Sequence, residues 1–252
     1  LNSEPQRYGL IGYPLLQSAS AAYFAKKFER EGLAGYSYSL FPLLSVDEVR
    51  PLIAGTPGLQ GFNVTIPFKQ SIIPLLDKLD AAAQDIGAVN TVVVRNSGKA
   101  FELTGYNTDA EGFRKSLSPG FSHTHALILG TGGSSKAVAY SLKKMGLEVL
   151  FVSRTKTADD IISYTDIGSD ILKRYTFIVN CTPAGMYYCP ETLPPFPVSL
   201  LNTRHEVYDL IYNPPMTKLL QMAAKTGAGT RNGRKMLEMQ ADLAFEIWMK
   251  AE

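Results

Sequence analysis

The stretch from His125 to Met145 restricts the fold more than any other part of the chain. The mostly apolar run His125-Ala126-Leu127-Ile128-Leu129 leads straight into Gly130-Thr131-Gly132-Gly133-Ser134-Ser135-Lys136-Ala137, and an amphipathic pattern continues to Met145. Strand, glycine turn and helix follow one another without a spacer. The first glycine makes the turn. The next two leave bare backbone at a helix N-terminus, where a pyrophosphate can rest against N–H groups. Ala137 is small enough for the helix to lie close to the strand. A single glycine-rich turn also serves ordinary loops, but here a second strand begins at Leu147, which completes a dinucleotide-binding unit. Gly130, Thr131, Gly132, Gly133 and Ser134 are therefore candidate cofactor contacts.

The end of that second strand bears on which dinucleotide is bound. An NAD site usually places a carboxylate there, to accept hydrogen bonds from the ribose 2′-hydroxyl. This chain has Ser153-Arg154-Thr155 instead. An arginine flanked by hydroxyls suits a 2′-phosphate, which an aspartate would repel. The alternative is a solvated surface arginine. Strands expected near 125–129, 147–152, 175–180, 206–211 and 228–230 alternate with helical or loop segments, the rhythm of a parallel sheet.

The first half reads differently. A strand is expected over 8–12, a helix over 20–31 stopped by Gly32, strands at 36–40 and 62–66 (the latter closed by Pro67), and a hairpin from 88 to 104 turning at Asn96-Ser97-Gly98. The last helix, from about Lys235, puts Met236, Leu243 and Ile247 on one stripe with Leu237, Ala244 and Trp248 beside it. If that apolar face packs back on the first half, the first domain is discontinuous in sequence.

Composition removes several classes of function. The 252 residues are 45% hydrophobic and 19% charged with a net charge of +2. That is globular, with too little positive charge for a nucleic-acid binder acting by bulk electrostatics. The uncharged run from Pro51 to Phe68 is broken by three prolines and three glycines, so no membrane span is expected. The N-terminus shows no basic segment followed by an apolar run, and no signal peptide is expected. Cys181 and Cys189 fit no metal spacing and read as reduced thiols of a cytoplasmic protein; no metal is expected.

Polar residues in the first half add a second constellation. In Gly61-Phe62-Asn63-Val64-Thr65-Ile66-Pro67-Phe68-Lys69, a lysine follows a proline and an aromatic, where it can be held; alone it could equally be a surface lysine. Gly87-Ala88-Val89-Asn90-Thr91 places an amide at a strand start. Gly105-Tyr106-Asn107-Thr108-Asp109 places a carboxylate where the second half begins. Gln240 is an amide on an apolar helix face, requiring either a buried backbone group or a ligand as partner.

With these segments in hand, the chain resembles the shikimate dehydrogenase family. The matching pieces are Gly12-Tyr13-Pro14 with Ser18 and Ser20, Asn63 through Lys69, Gly87 to Thr91, Asn107-Thr108-Asp109, Gly130 to Gly133, Asn180-Cys181-Thr182-Pro183 with Gly185-Met186, Asp209 to Pro214, and Met236-Leu237 with Gln240. The resemblance implies an α/β protein of two domains. Residues 1–108 plus 236–252 would form the substrate-binding and catalytic domain. Residues 109–235 would form a Rossmann-like, doubly wound NADP-binding domain, and the C-terminal helix would return to the first.

The resemblance also implies roles. Lys69 and Asp109 match the catalytic pair, and which of them transfers the proton is left open. Ser18 and Ser20 match hydroxyls that hold the substrate carboxylate, Ser20 also looking like a helix N-cap. Thr65, Asn90 and Gln240 match side chains that bond ring hydroxyls. Tyr212 matches a substrate-side tyrosine, or else it is a core aromatic. Ser153, Arg154, Thr155 and Thr182 complete the candidate cofactor contacts, and Gly233 and Met236 match residues beside the nicotinamide. Leu16, Gln17, Ala21 and Ser153 depart from the family pattern, which bears on the carboxylate loop and on cofactor detail. His123, His125 and His205 match no family site.

The implied activity is NADPH-dependent, reversible reduction of 3-dehydroshikimate to shikimate in aromatic amino acid biosynthesis, by a cytoplasmic monomer or homodimer. Alternatives are a quinate/shikimate dehydrogenase with broader substrate or NAD use, and a catalytically silent NADP-binding regulator.

Overall fold

The computed structural model describes residues 5–15, 18–96, 101–155 and 158–251. Its packing divides the chain into two units, Leu1–Gly112 with Glu238–Glu252, and Phe113–Leu237. Leu16, Gln17, and Ser97 and Gly98 of the expected hairpin turn lie outside the described residues.

The first unit is built from β1 (Gln6–Gly12), α1 (Ala19–Arg30), β2 (Tyr36–Pro42), α2 (Val49–Gly55), β3 (Leu59–Val64), β4 (Lys78–Leu79), α3 (Ala81–Ile86), β5 (Thr91–Asn96) and β6 (Phe101–Tyr106). Helix α4 (Asp109–Ser116) leads out of it. The strands form one mixed sheet in the order β2-β1-β3-β5-β6-β4. β1 runs parallel to β2 and β3, while β5 is antiparallel to both β3 and β6. The carboxyl ends of β1, β3 and β6 and the amino end of β5 therefore fall along one edge of this sheet. Ile11, Phe62, Val64, Val92 and Leu103 form part of the core on one side.

Two expectations are corrected here. The strand expected to reach Ile66 stops at Val64, because Ile66 points outward, 54% exposed, and 66–70 is a turn. Ser20 is not the N-cap: α1 begins at Ala19, Ser18 holds the cap position with extended backbone, and Ser20 is buried in the first turn.

The second unit contains β7 (His125–Leu129), α5 (Gly133–Lys144), β8 (Glu148–Ser153), β9 (Ile161–Ser163), α6 (Ser169–Arg174), β10 (Phe177–Asn180), β11 (Glu206–Asp209), α7 (Lys218–Lys225) and β12 (Gly229–Asn232). All pairings in its sheet are parallel, in the order β12-β11-β10-β7-β8-β9. Ala126 and Ile128 of β7 enter one apolar cluster with Val138 and Phe177, and Leu127 and Leu129 enter another with Val207 and Leu219. Alternate side chains of one strand thus feed cores on both faces, as a parallel sheet covered on both sides requires. Counted outward from β7, this is the doubly wound order, with its reversal between β7 and β10.

The chain finishes in α8 (Arg234–Ala251), whose residues from Glu238 onward belong to the first unit. Its buried stripe there is Ala241, Ala244, Phe245 and Trp248, with Ile247 only half-buried. The expected stripe through Leu243 and Ile247 is thus rotated by about one residue, since apolar residues nearly surround this helix and periodicity alone could not pick the face. Trp248 stacks on Tyr8 at 4.6 Å between ring centroids and donates its indole N–H to the Val92 carbonyl at 3.0 Å. A Cβ on Gly61 would stand 2.3 Å from the indole nitrogen, so only glycine leaves room for the ring.

The substitution Gly61→Ala should therefore lower stability by roughly 1–3 kcal/mol through overpacking. Urea unfolding followed by Trp248 fluorescence measures it, and an unchanged midpoint would contradict the packing described.

Candidate active site

The shared sheet edge of the first unit gathers segments distant in sequence. Ser18 and Ser20 follow β1, Thr65 and Lys69 follow β3, Asn90 precedes β5, and Asp109 follows β6. Cross-strand register fixes their height: Ile11 pairs with Val64, Asn63 with Thr91, and Thr91 with Tyr106. Thr65 is pinned beside Gly12, where a Cβ would come within 2.4 Å of its methyl. The Lys69 carbonyl accepts the Val89 N–H at 2.7 Å, tying the lysine's backbone to the segment that carries Asn90.

Lys69 Nζ lies 2.5 Å from Asp109 Oδ2, both side chains largely withdrawn from water. The other carboxylate oxygen, Oδ1, accepts from Asn90 Nδ2 at 2.9 Å. Asp109 sits in the first turn of α4, where the helix dipole favours an anion. Asn90 is held at both ends. Its Oδ1 accepts the Thr108 N–H at 2.7 Å and the Thr91 hydroxyl at 3.2 Å. Its Nδ2 faces Thr108 Oγ1 at 2.9 Å and Gln240 Oε1 at 3.3 Å in addition to Asp109. Gln240 therefore meets another side-chain amide, a partner outside the two that periodicity suggested. One N–H₂ group serves three acceptors here, and the bond to Gln240 is the longest.

Sequence reasoning passed over several supports of this network. Asn63 donates to Thr91 Oγ1 at 3.1 Å and receives the Tyr38 hydroxyl at 2.9 Å. A Cβ on Gly112 would stand 2.9 Å from the Gln240 backbone nitrogen, so glycine lets α4 approach α8 closely enough to deliver Gln240. No local pattern marks Gly112, and Asn63 enters the sequence reading only as the first residue of a matching segment. The buried α1 hydroxyl of Ser20 and the Ser18 side chain, which makes no cap bond, stand at the N-terminus of a 12-residue helix with no acid in its first turn.

In the second unit every strand of the sheet runs the same way, so the loops carrying the predicted cofactor residues all leave the same edge. Gly130 takes φ +103°, and Gly132 is the N-cap of α5, which starts at Gly133. Ser135 Oγ, on the first turn of α5, is buried without a hydrogen-bond partner. It lies 3.4 Å from where a Cβ on Gly130 would be, and Thr182 Cγ2 lies 3.3 Å from the same point. Glycines bare of side chains, a helix N-terminus and an unspent hydroxyl together fit a diphosphate.

Arg154, at the end of β8, is exposed and lines a cavity of about 480 Å³ with Ser163, Tyr164, Thr165, Ile167 and Phe196, and none of the described residues lining it carries a carboxylate. Burial pushes the Tyr164 phenol up to about 12, keeping it neutral there. Ser153 Oγ accepts the Thr155 N–H at 3.5 Å. Gly233 is packed so tightly on Leu210 that a Cβ would overlap the Leu210 carbonyl. Met236 is buried in the cluster of Phe113, Val179 and Tyr208, and Tyr212 is half-buried after β11. Behind Thr182 stands a buried chain of bonds. The Thr182 hydroxyl donates to Asn180 Oδ1 at 2.7 Å, and Asn180 Nδ2 donates to Asp209 Oδ1 at 3.0 Å.

His205 is buried, with a ring nitrogen 2.9 Å from the Leu172 carbonyl, while His123 contacts Thr176 and Glu206.

A family model described as "Shikimate dehydrogenase substrate binding domain" matches residues 10–92. The chain is 36% identical to a shikimate dehydrogenase (NADP(+)) of Desulforamulus reducens, over 98% of this chain and 91% of the other. Among solved structures, that of shikimate dehydrogenase from Aquifex aeolicus is 35% identical with a TM-score of 0.84, covering 98% of this chain and 94% of that one. Shikimate 5-dehydrogenase from Thermus thermophilus, in complex with NADP(H) and shikimate, is 32% identical with a TM-score of 0.84, covering 97% and 94%.

Burial raises the Asp209 carboxyl from its usual value near 3.8 to about 6, against the opposing bonds from Thr217, Ile211 and Asn180. The folded state therefore binds this proton more tightly than the unfolded state. The associated stability is complete below about pH 4 and is lost as pH rises through about 6. Relative to Asp209→Asn, the natural chain should lose up to roughly 3 kcal/mol between pH 4 and 7. Urea unfolding of both proteins across that range tests it; parallel profiles would refute it.

Proposed function

The chain belongs to the shikimate dehydrogenase family, and on that premise we propose that it interconverts 3-dehydroshikimate and shikimate with NADP(H), using Lys69 and Asp109 as its catalytic pair. The observation that carries the reading is the withdrawn Lys69–Asp109 ion pair at a sheet edge that also presents the Asn90 and Gln240 amides.

Reducing a ring ketone builds negative charge on oxygen as hydride reaches carbon. Bound NADPH supplies that hydride. The Lys69 ammonium meets the carbonyl oxygen, donates a hydrogen bond to it, and delivers a proton as the C–O double bond becomes C–OH. Asp109 restrains the ammonium and is itself restrained by Asn90, so the donor is aimed before substrate arrives. In the oxidative direction the same pair accepts the proton.

Substrate hydroxyls fit the amide cluster. A ring hydroxyl replaces Gln240 Oε1 as the third acceptor at Asn90 Nδ2, releasing Gln240 to bond the ring as well, with Thr65 alongside. The substrate carboxylate fits Ser18 and Ser20, where two hydroxyls and the α1 N-terminus supply donors without a competing acid. The first unit is thus the substrate domain and the second the cofactor domain. Gly130 to Ser134 hold the diphosphate, with Thr182 beside the turn. Ser153, Arg154 and Thr155 hold the 2′-phosphate. Gly233 and Met236 would lie beside the nicotinamide, as the family pattern implies. Among the described residues no helix is long and apolar enough to cross a membrane.

Mixing the protein with NADPH and 3-dehydroshikimate should consume nicotinamide absorbance; no turnover would reject the proposal. Faster turnover of quinate than shikimate would move the chain to the broader quinate/shikimate activity. Lys69→Ala should lower kcat by roughly a hundred- to ten-thousandfold with KM little changed. Arg154→Gln should raise KM for NADPH by roughly ten- to a hundredfold without harming NADH use, and equal effects on both cofactors would remove Arg154 from the 2′-phosphate site.

A further inference from the structure

Asp209, buried at the end of β11, has no part in the chemistry above, yet every polar partner it has is ordered around it. Oδ2 accepts the Thr217 hydroxyl at 2.6 Å, and Oδ1 accepts the Ile211 N–H at 3.1 Å and Asn180 Nδ2 at 3.0 Å. Asp209, Asn180 and Thr217 are each inaccessible to solvent. A carboxylate accepts hydrogen bonds and cannot donate them, so it allows the Asn180 amide one orientation, with the N–H₂ toward Asp209 and Oδ1 toward Thr182. Oδ1 then receives both the Thr182 N–H at 3.1 Å and the Thr182 hydroxyl at 2.7 Å.

A threonine hydroxyl has a single proton. With that proton committed to Asn180, Thr182 has none to offer a phosphate, whose oxygens only accept. One Thr182 lone pair is also engaged, by the Ala184 N–H at 3.3 Å. What Thr182 turns toward the glycine turn is its methyl, 3.3 Å from where a Cβ on Gly130 would be.

We infer that Asp209 is a positioning residue for the dinucleotide site: through Asn180 it holds the Thr182 hydroxyl inward, so that the Thr182 methyl rather than its hydroxyl meets the bound cofactor. The inference rests on the NADP(H) reading of this unit. It gives Thr182 the part of an apolar wall beside the diphosphate turn. It also explains why a carboxylate is kept in a place where charge is costly, since a neutral amide at 209 would permit Asn180 to turn over.

Titration of NADPH into the full chain, read by nicotinamide fluorescence, distinguishes the possibilities. T182S keeps the hydroxyl and deletes the methyl, whereas T182V does the reverse. T182S should bind NADPH more weakly than T182V by roughly fourfold, the worth of one buried methyl group. The opposite order would mean that the hydroxyl bonds the cofactor, and the inference would fall. D209N should raise the NADPH dissociation constant several-fold while leaving KM for the carbon substrate in place. In the T182V background, where no hydroxyl remains to be turned, its effect should shrink to within about twofold. An equal effect of D209N in both backgrounds would reduce Asp209 to a structural carboxylate. The Thr182 pair decides the orientation even where D209N fails to fold. A natural chain that binds no NADPH would overturn the cofactor reading along with the inference; binding with the variants in the wrong order would overturn the inference alone.

Discussion

An ammonium and a carboxylate withdrawn from water pay for their burial only when every remaining hydrogen-bonding position is met. Lys69 and Asp109 satisfy that condition through structure outside the pair itself. The α4 N-terminus stabilises the anion, Asn90 occupies its second oxygen, and the Asn90 carboxamide is locked by Thr91 and Thr108. Asn63 and Tyr38 extend the chain of bonds across to β2. The order of the first sheet follows from this requirement as much as from its apolar core, because only a mixed sheet with β5 reversed brings the start of one strand to the ends of its neighbours.

The second unit meets a related demand by a simpler route. With all strands parallel, its loops need no reversed partner to reach one edge, and the point where the order turns back separates the loops after β7 and β10. One unit therefore assembles a buried ion-pair network from side chains, and the other presents a glycine turn and a helix N-terminus built mainly from backbone. The buried hydroxyl of Ser135 belongs to the second kind of site, a polar group whose partner the protein itself does not supply.

Much of the second unit was legible because its signal is local: strand, glycine turn, helix and strand fall within about thirty residues, as a βαβ unit does. β9 escaped notice because three residues at 161–163 carry no periodicity. Ile66 continues the apolar run of β3 in sequence, and only its exposure in the turn distinguishes it from a strand residue. Two serines flanking one alanine left the start of α1 ambiguous by two positions. The meeting of Lys69 with Asp109 spans forty positions, and no periodicity connects them; the family resemblance suggested the pair, and the fold puts the two side chains in contact. Burial of Asp209 left no trace in its neighbours at all, since a carboxylate after a short strand looks the same whether wet or dry.

The placement of Trp248 has a consequence for how the protein is made. The first 112 residues leave the ribosome long before the residue that fills the space over Gly61 and takes up the Val92 carbonyl. The intervening residues, 113–237, can complete their own sheet in the meantime. The lobe translated first is thus the one finished last, and a nascent chain stalled before residue 248 would leave the aromatic floor of Tyr8 and Phe24 without its indole cover.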